Sequence, residues 1–210
     1  MDDRAAAALA LNLVLKYRRT SDQVLGSLDS PAARDYFFGS LRHYFAICSL
    51  LDPLIKRPIA EKHQDIYCLL IVGAYQLIYG RTPEHAALHA TVQACRELKK
   101  DWAKGLINGV LRNLQRQCPI NLSTEQSYPS WFANLIDQGY PGKMRSVLAA
   151  LLQRAPQAVR VNLKENTVEA YCALLKQAGI NYSNGYTKAT LVLNKAVRQQ
   201  DLPAFYEGKV

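Results

Sequence analysis

The sequence is 210 residues long and 49% hydrophobic, enough to bury a core without disulfide or metal staples. Its 26 Lys and Arg outnumber 17 Asp and Glu, giving a net charge of +9, and a broad positive field of that kind favours a polyanion such as nucleic acid. Five scattered cysteines, odd in number and without a CxxC pair, argue against a disulfide frame or a zinc ribbon and for reduced thiols in a cytoplasmic chain.

Met1-Asp2-Asp3-Arg4 is acidic where a signal peptide would be basic. The most apolar stretch, Ile66 to Tyr79, is about 14 residues and falls short of the roughly 18 to 20 that a bilayer requires, so no membrane is expected as a partner. From Asp2 to Tyr17 the spacing of Leu9, Leu13 and Val14 among alanines predicts a first helix, which Lys16, Arg18 and Arg19 close. Ser21-Asp22 reads as the cap of a short helix to Leu28. Ser30-Pro31 opens a long helix expected to run through Phe37, Phe38, Leu41, Tyr44, Phe45 and Cys48, and to pass Pro53 only with a kink.

Lys62 to Tyr79 is apolar nearly all round, as a helix enclosed by others should be. Thr82-Pro83-Glu84 is a second cap-plus-proline start, for a helix to Leu98. His85 and His89 lie four apart on it. With no HExxH pattern and no third ligand nearby, they read as first-turn residues and not as a metal site.

Lys104 to Arg116 carries the most information. At about 100° per residue, Leu106, Ile107, Val110, Leu111 and Leu114 fall within roughly 140°, and Lys104, Asn108, Arg112 and Gln115 gather within roughly 80° on the other side. Gly105 and Gly109 lie one turn apart on a flank, each at about 1 kcal/mol of helix propensity relative to Ala, and are expected to admit the close approach of another backbone. Between Arg96 and Arg116 six Lys and Arg face only Glu97 and Asp101, the densest basic run in the chain. A polar helix face inside the strongest local field favours RNA or DNA over a merely solvated surface.

The texture changes after Gln117. Cys118 to Ser127 reads as a linker, followed by short helices from Tyr128-Pro129-Ser130-Trp131 to Gln138 and from Gly142 to Gln153. Ala158 to Leu163 alternates like a half-buried strand, Thr167 to Ala178 is an amphipathic helix stopped by Gly179, and Leu191-Val192-Leu193 is a second strand. Arg160 and Asn162 are expected on one face of the first strand, opposite Val159, Val161 and Leu163. Lys209-Val210 has the texture of a further strand beginning. The fold class is therefore mainly α, an all-α helical bundle followed by a small α+β segment.

Five segments together resemble the Sun/Fmu (RsmB-type) ribosomal RNA cytosine-C5 methyltransferases. They are Leu70 to Tyr79 (LIVGAYQLIY), Pro83 to Leu88 (PEHAAL), Lys104 to Arg116 (KGLINGVLRNLQR), Tyr128 to Phe132 (YPSWF), and Arg160 to Leu163 with Leu202-Pro203. The resemblance implies a NusB-like all-α RNA-binding domain over residues 1–125 and a small α+β segment over 126–210 that precedes a methyltransferase domain. The partners it implies are small-subunit (16S) ribosomal RNA and that methyltransferase domain, and the cofactor of the complete enzyme is S-adenosylmethionine. This sequence stops where the catalytic domain would begin. It has no Gly-rich strand-to-helix turn, and none of its cysteines stands in the family's Pro-Cys or Thr-Cys context. No catalytic, metal-binding or cofactor-binding residue is assigned, and the chain alone is expected to be inactive.

The candidate RNA contacts are Arg4, Arg18, Arg19, Lys99, Lys100, Lys104, Asn108, Arg112 and Arg116, with Arg160 and Asn162 as a second contact or as docking residues for the catalytic domain. The competing reading is a stand-alone NusB-like transcription antitermination factor. Such a factor needs only the helical domain, whereas this chain continues for about 90 residues.

Overall fold

The computed structural model describes residues 1–118, 120, 122–153 and 155–210, so two positions of the expected linker lie outside the described residues. The chain divides into two compact units, Met1–Leu152 and Gln153–Val210.

In the first unit α5 (Gln64–Tyr79) is the axis of the bundle. Its residues from Cys68 to Leu77 are all buried, as the unbroken apolar run predicts. α1 (Asp3–Leu15), α3 (Pro31–Arg42), α4 (Tyr44–Leu51), α6 (Glu84–Ala94) and α7 (Lys104–Gln115) all pack against it. α1 starts at Asp2, whose carboxylate accepts from the Arg4 N–H. It turns its alanines inward: Ala5, Ala6, Ala7, Ala8, Ala10 and Leu11 are buried, whereas Leu13 is exposed. The small side chains let α1 lie close to both α3 and α5, a contact that the leucine spacing does not suggest. Thr20, not Ser21, caps the short α2 (Ser21–Leu25) in a reciprocal pair with Gln23.

The long helix expected from Ser30 is two. Ser30 and Pro31 open α3 as expected, but the chain breaks at His43 (φ −104°, ψ 17°) before α4 begins. His43 stacks on Tyr79 with ring centroids 3.8 Å apart, and burial together with the nearby Arg42 lowers its pKa. α4 ends at Leu51, and Asp52–Leu54 forms a 3-10 turn through Pro53.

α6 begins at Pro83 without a side-chain cap and stops at Ala94, earlier than Leu98. Lys99 takes a left-handed φ of +55°, and its successor's N–H reaches the Cys95 carbonyl. Arg18, at +57°, follows α1, with the Arg19 N–H on the Leu13 carbonyl. The turns after both helices thus place a basic residue in a conformation that suits glycine.

The second half of the expected linker is ordered against the bundle. Thr124–Ser127 is a 3-10 turn with a capping box on Ser123, packed on α4 and α9. α8 (Ser130–Gly139) and α9 (Met144–Leu152) follow, and the Tyr128 hydroxyl donates to the Leu148 carbonyl at 2.9 Å.

The second unit holds three strands where two were expected: β1 (Gln157–Arg160), β2 (Tyr182–Asn184) and β3 (Thr190–Leu193), antiparallel in the order β1-β3-β2. α10 (Val168–Gln177) is capped by Thr167 and followed by Gly179 at φ +67°. Tyr171 and Leu175 of this helix form a small core with Val161, Leu191, Leu193 and Leu202.

β1 ends at Arg160, so Asn162 is not a strand residue and Leu163 is exposed. The Asn162 amide donates to the Gly208 carbonyl at 2.8 Å, and its backbone N–H donates to the Lys209 carbonyl at 3.0 Å. Its side-chain oxygen accepts from the Lys164 N–H. Asn162 thus ties down residues 208–209 and has little left for an external ligand.

Candidate nucleic-acid interface

α7 is amphipathic because its apolar residues share one arc, and that arc is buried. Ile107, Val110, Leu111 and Leu114 lie in the core, and α7 packs on α5, α6 and α4. Gly105 and Gly109 admit no other backbone: a Cβ added at either would meet nothing within 4 Å. They form a low, exposed ridge. Leu106, expected in the core stripe, is only half-buried beside it.

The polar arc opens on a cleft of about 400 Å³ between α6 and α7. Asn108, Arg112, Gln115 and Arg116 line it from α7, and His85 and His89 line it from α6. The Arg112 Nε donates to Asn108 Oδ1 at 3.1 Å, and Arg116 donates to Asn113 Oδ1 at 3.4 Å. Neither guanidinium has a carboxylate partner among the described residues, so neither is committed to an ion pair within the fold. Gln115 donates to Glu84 at 2.8 Å and fixes the end of α7 to the start of α6.

The other candidates divide into free and engaged cations. Arg18, Arg19 and Lys99 are exposed. Lys104 is paired with Asp101, whose carboxyl is held below its ordinary pKa by the hydrogen bond from Lys104 and the charges of Lys104 and Arg96. Lys100 pairs with Asp65 and also donates to the Lys62 carbonyl, with its side chain only 18% accessible. Arg4 is more enclosed still, 13% accessible, beside Asp2 and over the Tyr36 ring. Arg4 and Lys100 are thereby occupied within the fold. Arg160 is exposed on β1 in the other unit.

The contribution of the histidines was hidden in the sequence. Their spacing of four places them on one face of α6, but only the packing of α6 on α7 turns that face toward Arg112. No group of three or more His, Cys, Asp or Glu among the described residues could hold a metal ion.

Residues 1–116 match the NusB family. The chain belongs to that family. Residues 128–200 match a second one, the Methyltr_RsmF/B-like, ferredoxin-like domain. The two matches together extend over most of the chain. Relatives named "Ribosomal RNA small subunit methyltransferase B" occur in Pseudomonas putida (34% identical, covering 100% of this chain and 52% of the relative) and in Serratia proteamaculans (35%, covering 99% and 52%). One from Yersinia pestis is 37% identical over 85% of this chain and 44% of its own length. The chain thus spans about half the length of the curated relatives it matches. The crystal structure of PH0851 shares the fold, with a TM-score of 0.68 at 12% identity over all of this chain and 52% of that one. No described helix of the NusB-type unit or its companion is long and apolar enough to cross a membrane.

Proposed function

We propose that this chain is the RNA-positioning part of an S-adenosylmethionine-dependent methyltransferase that modifies a cytosine C5 in small-subunit ribosomal RNA. The observation that carries the reading is the α7 face, where Arg112 and Arg116, free of carboxylates, stand with Asn108 beside a histidine-lined cleft. Arg18, Arg19 and Lys99 extend the basic surface, and Arg160 adds a cation in the second unit. The domain division that accompanies this reading is a NusB-type RNA-binding domain over 1–125 and a small α+β segment over 126–210 leading to a catalytic domain.

Methylation at C5 requires a thiolate to add to C6 of a base drawn out of its stack. Four of the five thiols are poorly suited to that addition, since burial raises the pKa of Cys48, Cys68, Cys95 and Cys118, with Cys68 pushed up to about 12. Nor do the described residues offer a Gly-rich strand-to-helix turn for the cofactor. Among the described residues the strand that leads into a helix, β1, does so through Val161 to Thr167, which contains no glycine. The reacting groups and the cofactor site are therefore assigned to a methyltransferase domain outside this sequence. The present chain grips folded RNA through phosphates and unstacked bases.

A salt series with a helix-loop fragment of small-subunit ribosomal RNA tests this reading. The logarithm of the association constant is expected to fall with log salt at a slope of about −0.7 for each phosphate neutralised on a single-stranded segment. Lys99→Gly adds a second, opposed expectation. Releasing the left-handed strain at Lys99 should raise stability by about 1 kcal/mol, while one lost phosphate contact makes the slope shallower by about 0.7. An unchanged slope would remove Lys99 from the interface, and no binding at low salt would refute the RNA reading itself.

A further inference from the structure

On the far side of the Gly105–Gly109 ridge from the histidine cleft lies a second depression, a groove of about 530 Å³. Its floor is apolar, with Leu106 and Val110 of α7 opposite Ile59 and Pro58. Trp102 forms part of the wall at 57% exposure, although an indole with this much apolar surface is ordinarily buried or covered. Its ring lies 4.8 Å from that of His63, which also lines the groove and whose Nδ1 has no hydrogen-bond partner among the described residues.

The electrostatics of the groove point to its ligand. Lys56 and Arg57 stand at the rim, both exposed and without a carboxylate partner among the described residues, and no Asp or Glu lines the groove. The short turn Glu61–His63 draws further basic segments to this end of the bundle. Lys16 donates to the Glu61 carbonyl and Lys100 to the Lys62 carbonyl, so the basic helix ends at Arg18-Arg19 and Lys99 flank the same turn. A flat aromatic wall, an apolar floor and unpaired cations at the rim suit a planar, weakly polar ring carried on a polyanion.

We infer that this groove receives an unstacked base of single-stranded RNA, stacked on Trp102, with the adjoining phosphate held by Lys56 and Arg57. The inference rests on the RNA reading above and adds a site to it. The two glycines then have a use that the sequence alone does not reveal. Lacking side chains, they leave a low saddle over which one strand passes from the guanidinium groups of Arg112 and Arg116 into the groove.

The chain has two tryptophans, Trp102 and Trp131, so in the Trp131→Phe variant of the full 210-residue chain Trp102 is the only indole reporter. A 3′-labelled single-stranded RNA hexamer is titrated, with Trp102 emission read alongside the anisotropy of the label. Hexamer binding should quench Trp102 with the same midpoint as the anisotropy change, and a blunt RNA duplex should leave the emission unchanged. Gly109→Leu fills the groove at a position where a side chain meets nothing, so it should fold at least as stably while binding the hexamer about tenfold more weakly. Anisotropy binding with an unmoved Trp102 signal and no effect of Gly109→Leu would overturn the base site and leave the RNA reading standing. No binding of any RNA would overturn both. Quenching by an amphipathic helical peptide but not by the hexamer would overturn the proposal and make the groove a protein-docking site.

Discussion

Leu111→Ala is expected to destabilise the helical unit by about 2–5 kcal/mol, because Leu111 is fully buried where α7 crosses α5 and its loss leaves a cavity the surrounding helices cannot close. The residue it meets on α5 is Gly73, where an added Cβ would lie 2.6 Å from Leu111 Cδ1 and 2.9 Å from Thr91 Cγ2. Gly73→Ala should therefore also destabilise, by about 1–3 kcal/mol, through overpacking and not through a void. Combined, the two changes partly cancel. The alanine methyl at position 73 enters the space vacated at 111, although its contact with Thr91 persists. The double variant should fall short of the sum by at least about 0.5 kcal/mol in urea denaturation followed by the helical signal. Strict additivity would mean that α7 does not sit on α5 through this pair. The consequence reaches function, since the same contact sets the height and rotation of the polar face of α7.

Charge reversal on that face should produce the largest loss of binding. Arg112→Glu/Arg116→Glu replaces two cations whose side-chain hydrogen bonds go only to amides with two anions beside the same cleft. Affinity for ribosomal RNA at low salt should weaken about 100-fold or more, and the difference should shrink as salt rises. Both positions are exposed and lie at the C-terminal end of a helix, where anions are mildly unfavourable, so stability should drop by no more than about 1 kcal/mol. Lys104→Glu would be a poorer probe, because Lys104 already holds Asp101 and its loss rearranges the turn before α7.

Periodicity made the helices legible where one face is apolar and the opposite face polar. α7 and α10 appear as expected, as does the fully enclosed α5. It failed where burial depends on small side chains. The alanines of α1 carry little hydrophobic signal, yet they form the contact with α3 and α5, while the more conspicuous Leu13 faces solvent. Helix ends were also hidden: the chain breaks at His43, whose ring stacks on Tyr79 far along the chain, and α6 stops at Ala94, ahead of turns that end at a left-handed Lys99. The unexpected strand, β2 (Tyr182–Asn184), is too short and too polar to alternate visibly.

Among the candidate site residues, the α7 group was readable because one helix carries it. The engagement of Arg4 by Asp2 and Tyr36, of Lys100 by Asp65 and of Asn162 by residues 208–209 could not be read, because each depends on a contact made only in the fold. That His85, His89, Trp102, Lys56 and Arg57 line the cleft and the groove was missed for the same reason. They come from segments that only tertiary packing gathers around α7.

Amide hydrogen exchange of the 210-residue chain with and without the ribosomal RNA helix-loop addresses the location of the interface directly. Bound RNA is expected to slow exchange over Lys104–Arg116 and the first turns of α6 around His85 and His89, with a smaller effect at Arg18-Arg19 and Lys99. Protection confined to the β1–β3 unit, with α6 and α7 unchanged while RNA is demonstrably bound, would contradict the assignment of RNA to the NusB-type face.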